Sequence, residues 1–225
     1  MSFFLRLIET TDEERRGLEA IPKVHSMINH GLTRSEYAAF LHDLYHVVWH
    51  FCPIMGAAAS RLGDEFRQVR YQMYHNIEEE QGHEDWVMED VIATGGDAEA
   101  VRVFPPSPPI QGMIAFNYYT VERVHPCGVL GMLYALEVIS SVYGGRVASS
   151  IARATGYPDP GAFKFLSSHA SMDLDHMAKL KELVKTIHDP LAQETIVNAT
   201  RTNFWLFGQL FQQPAFQAPL EMATS

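Results

Sequence analysis

The amino-acid sequence predicts an all-α fold, and three observations carry that prediction. No stretch alternates apolar and polar residues with period two for long, as a half-buried strand would. Runs of β-branched residues are short. Helix punctuation, by contrast, recurs along the chain as Thr or Asp starts, Gly stops and Pro breaks about one helix length apart.

The first starts are Thr11 with Glu14 and Thr33 with Glu36, both at capping-box spacing, where hydroxyl and carboxylate each satisfy a backbone N–H of the first turn. They predict helices over 11–30 and 34–62, stopped at Gly31 and Gly63, the second bent at Pro53 because proline removes an interior hydrogen bond. A third helix is predicted over 64–94, ending at Gly95-Gly96. The proline-rich stretch 104–110 cannot continue a helix and reads as a connector, suited to lie over a pocket mouth. Helices over 110–124, 127–154, 160–187 and 190–213 follow, separated by Pro126, by Gly156 with Pro158, and by Asp189-Pro190. These seven helices are read as one domain over 1–225, since that length suffices for one buried core and no shift in composition divides it. The tail after Gln213 is expected to fray.

Hydrophobic residues make up 47% and charged residues 20%, the balance of a folded chain and not of a disordered one. Seventeen Lys and Arg against 27 Asp and Glu give a formal charge of -10, which opposes a phosphate backbone, so nucleic acid is not an expected partner. No run of roughly 18 uncharged apolar residues announces a membrane span. Charge within the first nine residues speaks against a secretory leader, and a cytoplasmic protein with no membrane partner is the expectation. Cys52 and Cys127 make neither a disulfide framework nor a Cys-rich zinc module.

The chemistry lies in the positions of the 11 histidines. His169, Asp173 and His176 are spaced by four and three, which sets them on one narrow helical stripe. Phe165, Met172 and Leu180 lie on or beside it, so the stripe should face the core, where ionisable groups are costly unless paired or metal-bound. A second cluster sets Glu79 and Glu80 four and three residues before His83. Glutamate runs are ordinarily solvated helix surface, yet Glu-x-x-His is also a ligand spacing of metal-binding helical bundles, and either glutamate shares the histidine's face. Glu137 is a lone carboxylate in an apolar helix and needs a partner, either a basic or hydroxyl side chain or a shared metal. His42, His46 and His50 form a further stripe at spacing four, in the pattern of packed histidines that could line a site. Three nitrogen and three carboxylate donors without thiolate suit iron or manganese better than structural zinc, and iron is the expected metal.

In this order, Glu80-x-x-His83, a lone Glu137, then His169, Asp173 and His176, with intervals of 54 and 32 residues between clusters, the sequence resembles the haem-oxygenase-like di-metal oxidases over roughly residues 35–185. That group is related in fold to thiaminase II and to pyrroloquinoline quinone synthase C. The resemblance implies a haem-oxygenase-like bundle of about seven helices around a central site, no haem, and two Fe(II) ions reacting with dioxygen. It implies an oxidase or oxygenase acting on a small amine, amino acid or fatty acid, with Glu80, Glu137 and His169 in catalysis. It further implies that Glu80 bridges or caps the irons, that His83 and His176 complete one iron site, and that His169 and Asp173 build the other with Glu137 near both. Several members carry an additional carboxylate on the helix where this chain has His46 and His50, so these join Glu79 as secondary ligand candidates. Homodimerisation is expected from the fold alone.

Three other functions are compatible with the same fold. A thiaminase II-like hydrolase would use Cys127 as nucleophile, although Gly131 stands one turn later where the resemblance wants tyrosine. A cofactorless oxidase resembling pyrroloquinoline quinone synthase would need basic residues around a large anion. A non-catalytic small-molecule binder would have no use for all three clusters. Trp49, Phe116, Tyr118, Tyr119 and Phe163 are aromatic candidates for a substrate channel, a pattern equally suited to plain core.

Overall fold

The computed structural model describes residues 2–158 and 161–216, the side chains of 170–175 excepted, and among these there are helices and no strand. The α-helices are α1 (Phe3–Thr10), α2 (Asp12–Ala20), α3 (Pro22–His30), α4 (Arg34–Ala59), α5 (Arg67–Glu80), α6 (His83–Ala93), α7 (Ala98–Val103), α8 (Pro108–Tyr119), α9 (Val129–Thr155), α10 (Lys164–Lys185) and α11 (Pro190–Leu210). The all-α class stands, with more helices than the seven expected.

Each extra boundary has a local cause. The Thr33–Glu36 capping box forms as expected. Thr11 does not build one, because its hydroxyl donates back to the Leu7 carbonyl and closes α1, a helix that was not predicted from the sequence. Pro22 lacks the N–H that would continue α2, so it becomes the first residue of α3. The helix expected over 64–94 breaks at Gly82, which takes the left-handed conformation at φ 92° that other residues adopt only with strain. Asp97 caps the short α7 ahead of the connector. α4 runs through Pro53 without interruption. Past Gln213 the chain is not frayed at once: Pro214–Phe216 form a turn, and Phe216 is buried against Phe211. The remainder of that tail lies outside the described residues.

The buried apolar side chains form one cluster around α9, which packs against α10, α11, α3 and α4. At Gly131 the backbones of α9 and α11 approach so closely that a Cβ would lie 2.4 Å from the Ile196 carbonyl oxygen, so glycine is required there for packing. The segment Pro126–Thr155 is long and apolar enough to cross a membrane, which the sequence reading did not single out, but 72% of its apolar window is buried as the central core helix.

On its far side α4 clamps the proline connector. His42 and His46 place Nε2 3.0 Å from the Pro105 and Phe104 carbonyl oxygens, and the buried Asp43 carboxylate accepts from the Ser107 backbone N–H at 2.6 Å. Burial raises the Asp43 carboxyl above its ordinary range, and burial followed by neighbouring His42 lowers His46.

Candidate metal centre

Four helices deliver ionisable side chains to one point in the core. Glu80 is the last residue of α5, His83 the first of α6, Glu137 sits mid-way along α9, and His169 and His176 are two turns apart on α10. Glu80 and His83 therefore share no helical face. The left-handed Gly82 turns the chain between them and brings both inward, so their spacing acts through a helix break and not through helical periodicity. Glu80, His83, Glu137 and His169 are 6%, 6%, 7% and 8% exposed, a concentration of buried ionisable groups that is costly unless a cation or hydrogen bonds offset it.

The two oxygens of Glu80 face two different sets of donors. Glu80 Oε2 lies 2.8 Å from His83 Nδ1 and 3.8 Å from His169 Nε2, and the two histidine nitrogens are 3.0 Å apart. Ligand atoms of Glu80, His83 and His169 all lie within 4.8 Å of one another, close enough for one cation to reach all three. Glu80 Oε1 lies 3.5 Å from His176 Nδ1, which is 3.8 Å from Glu137 Oε1. Imidazole and carboxylate donors without sulfur suit iron well. His83 thus pairs with His169, and His176 with Glu137, a grouping different from the one the resemblance implied. The side chain of Asp173 lies outside the described residues.

Aromatic rings hold both members of the first pair. His83 stacks on Trp86 with ring centroids 3.9 Å apart, and His169 on Phe165 at 4.2 Å. Phe165 was legible on the histidine stripe; Trp86 was missed, although it stands one turn after His83. Glu79, unlike Glu80, points toward the surface. It receives a hydrogen bond from Lys179 Nζ at 2.9 Å and lies 3.1 Å from His75 Nε2 and 3.6 Å from His176 Nε2. Burial works to raise its carboxyl, but Lys179, His75 and His176 together outweigh it and hold it low.

A mostly apolar cavity opens from this cluster. Among the described residues its polar lining is Glu80, Glu137, His169, His176, Ser140 and Tyr143, and its walls come from α2, α3, α4, α9, α10 and α11. α4 contributes Phe40, Leu44, Val47, Val48 and Phe51, the face opposite to His42, His46 and His50. His46 and His50 therefore do not join the cluster; His50 Nδ1 meets the Tyr118 hydroxyl at 3.1 Å instead. The connector does not line the cavity either, nor do the five aromatic channel candidates. Trp49 and Tyr119 are exposed and Phe163 is core. Cys127 is wholly buried beneath α11 and outside the cavity, and burial pushes its thiol up to about 12, so it is not placed as a nucleophile for the site.

Residues 38–207 match the sequence model of a family described as iron-containing redox enzymes. No functionally curated protein matches the chain. Among solved structures, a domain of unknown function with a haem-oxygenase-like fold from Shewanella denitrificans superposes with a TM-score of 0.81 at 21% identity, over 92% of this chain and 90% of that one. A TenA homologue from Pseudomonas syringae gives 0.80 at 17% identity, over 95% and 92%. A haem oxygenase from the cyanobacterium Synechocystis, in complex with haem, gives 0.73 at 13% identity, over 94% and 91%. At these identities the likeness establishes the haem-oxygenase-like fold and nothing finer.

Proposed function

Because this chain belongs to the family of iron-containing redox enzymes, we propose that it is a non-haem di-iron oxidase or oxygenase that uses dioxygen on a small substrate with an aliphatic chain. The observation that carries this reading is the split of Glu80, whose oxygens face His83 with His169 on one side and His176 with Glu137 on the other. In this reading Glu80, His83, His169, His176 and Glu137 would hold the irons. Two ferrous ions supply the electrons that dioxygen requires and that side chains do not supply unaided.

The rest of the work falls to the protein. Stacking of His83 on Trp86 and of His169 on Phe165 fixes two ring planes before any ligand arrives. The walls from α4, α3 and α11 exclude water and present apolar surface, which favours a fatty-acid-type substrate over a free amino acid or short amine. The lining along α9 runs from Leu136 to Val147, about 16 Å at helical rise, and suits a medium-length alkyl chain.

Anaerobic loading with Fe(II) followed by iron analysis tests the reading. Two irons per chain are expected, falling by about one each in His83→Ala and His176→Ala. Loaded protein should consume dioxygen faster with medium-chain fatty acids than alone. Iron content below one per chain, or no dioxygen uptake with fatty acids, amines or amino acids, would refute it.

A further inference from the structure

We propose that the seam between α5 and α10 is the port through which Fe(II) reaches the cluster, with Glu79 and His75 as its outer docking site and the Lys179 ammonium as a displaceable stand-in for the metal; this rests on the metal centre of the function proposed above. Lys179 Nζ lies 2.9 and 3.3 Å from the two Glu79 oxygens and 3.4 Å from His75 Nε2, which is itself 3.1 Å from Glu79 Oε1. Two carboxylate oxygens and an imidazole nitrogen thus converge on one positive charge, and these are atom types that bind ferrous iron. All three side chains are partly open to solvent, so an ion can exchange with the ammonium.

From that rim the way inward is short. His176 Nε2 stands 3.6 Å from Glu79 Oε2, while Nδ1 of the same ring stands 3.5 Å from Glu80 Oε1 and 3.8 Å from Glu137 Oε1. One imidazole therefore spans from the docking site to the cluster. Beside it a small nook between α5 and α10, with Gln72, Asn76 and Lys179 as its polar rim, also reaches Glu137 and His176. The larger cavity meets these two residues from the side walled by α2, α3, α4 and α11. Its walls are apolar and offer no atom to replace the waters that an entering ion sheds, so desolvation along that route goes uncompensated. Carboxylate, imidazole and amide oxygens along the seam do offer replacements, which leaves the apolar cavity to dioxygen and substrate.

Rates of anaerobic loading and of extraction test this, because a port lowers the barrier in both directions whereas a supporting contact on the cluster only tightens binding. Stopped-flow quenching of tryptophan fluorescence by Fe(II) follows loading, since Trp86 stacks on His83, and colour development with ferrozine follows extraction. Glu79→Gln should slow loading by more than about tenfold, within the range that charge focusing gives association rates, and should slow extraction as well. Lys179→Met, which removes the competing cation, should quicken both. Lys185→Met removes the same charge from the same helix at the Glu182 ion pair, and should load as the wild type does. Unchanged loading in Glu79→Gln, quicker extraction from it, or loading no faster in Lys179→Met than in Lys185→Met overturns the port while leaving the metal centre intact. A wild type that binds no Fe(II) overturns both.

Discussion

Glu79 and Glu80 are chain neighbours about 100° apart on α5, and that rotation separates their roles. Glu80 enters the core and meets three histidines, whereas Glu79 stays at the rim with Lys179 and His75 and reaches only the outer nitrogen of His176. Substituting each with glutamine separates a ligand from a supporting residue. Glu80→Gln should reduce bound iron from two to fewer than one per chain, because both proposed ions lose an anionic oxygen. Glu79→Gln should retain two irons with affinity lowered less than tenfold, the smaller end of the range for groups behind a ligand. Equal loss in the two variants, measured by iron analysis after desalting, would refute the assignment.

At the scale of elements, the seam between α6 and α10 sets the distance between His83 and His169. Seven residues after His83, Asp90 lies wholly buried and accepts from the Lys164 and Phe165 backbone N–H groups at 2.7 and 3.0 Å. It serves as the N-terminal cap of α10 from another helix, and α10 then carries His169 one turn further on. Asp90→Ala leaves those N–H groups unsatisfied and should cost about 1–3 kcal/mol in urea denaturation, with weaker iron binding as the seam loosens. Burial pushes the Asp90 carboxyl up to about 6, against the pull of its two backbone donors. Since an unfolded aspartate titrates near about 3.9, the folded state holds this proton more tightly. The contribution of Asp90 to stability is therefore fully present below about pH 4 and declines as pH rises toward about 6. Denaturation of Asp90→Asn across that window should show a flatter profile than the wild type; parallel profiles would contradict the shift.

For the whole molecule, the cluster of Glu80, His83, Glu137 and His169 is a polar inclusion in the core. A cation that binds only the folded state offsets the cost of burying these groups and stabilises by mass action. With free Fe(II) at about one hundred times its Kd, the gain is about 2.7 kcal/mol, or a rise in melting temperature of roughly 5–10 °C for a chain of this size. Differential scanning calorimetry of chelated and anaerobically loaded protein measures it. An unchanged melting temperature, with iron shown to be bound, would mean that binding does not engage the buried cluster.

The sequence by itself determined the all-α class, because hydrophobic period and helix punctuation are local properties of the chain. It also pointed to one of Glu79 and Glu80, with His83, Glu137, His169, Asp173 and His176, as residues of one site, since buried imidazoles and carboxylates at helical spacing are expensive without a shared partner. It could not say which glutamate turns inward, because that depends on Gly82 adopting a left-handed conformation and breaking a helix that periodicity alone would have carried through. Nor could it place the His42, His46 and His50 stripe. Histidines at spacing four share a face whatever they touch, and only the packing of α4 decided that this face holds the connector while the opposite one walls the cavity. The pairing of His83 with His169, and of His176 with Glu137, is likewise tertiary. Those residues stand 86 and 39 positions apart, and no local energy relates them until α6, α9 and α10 pack together.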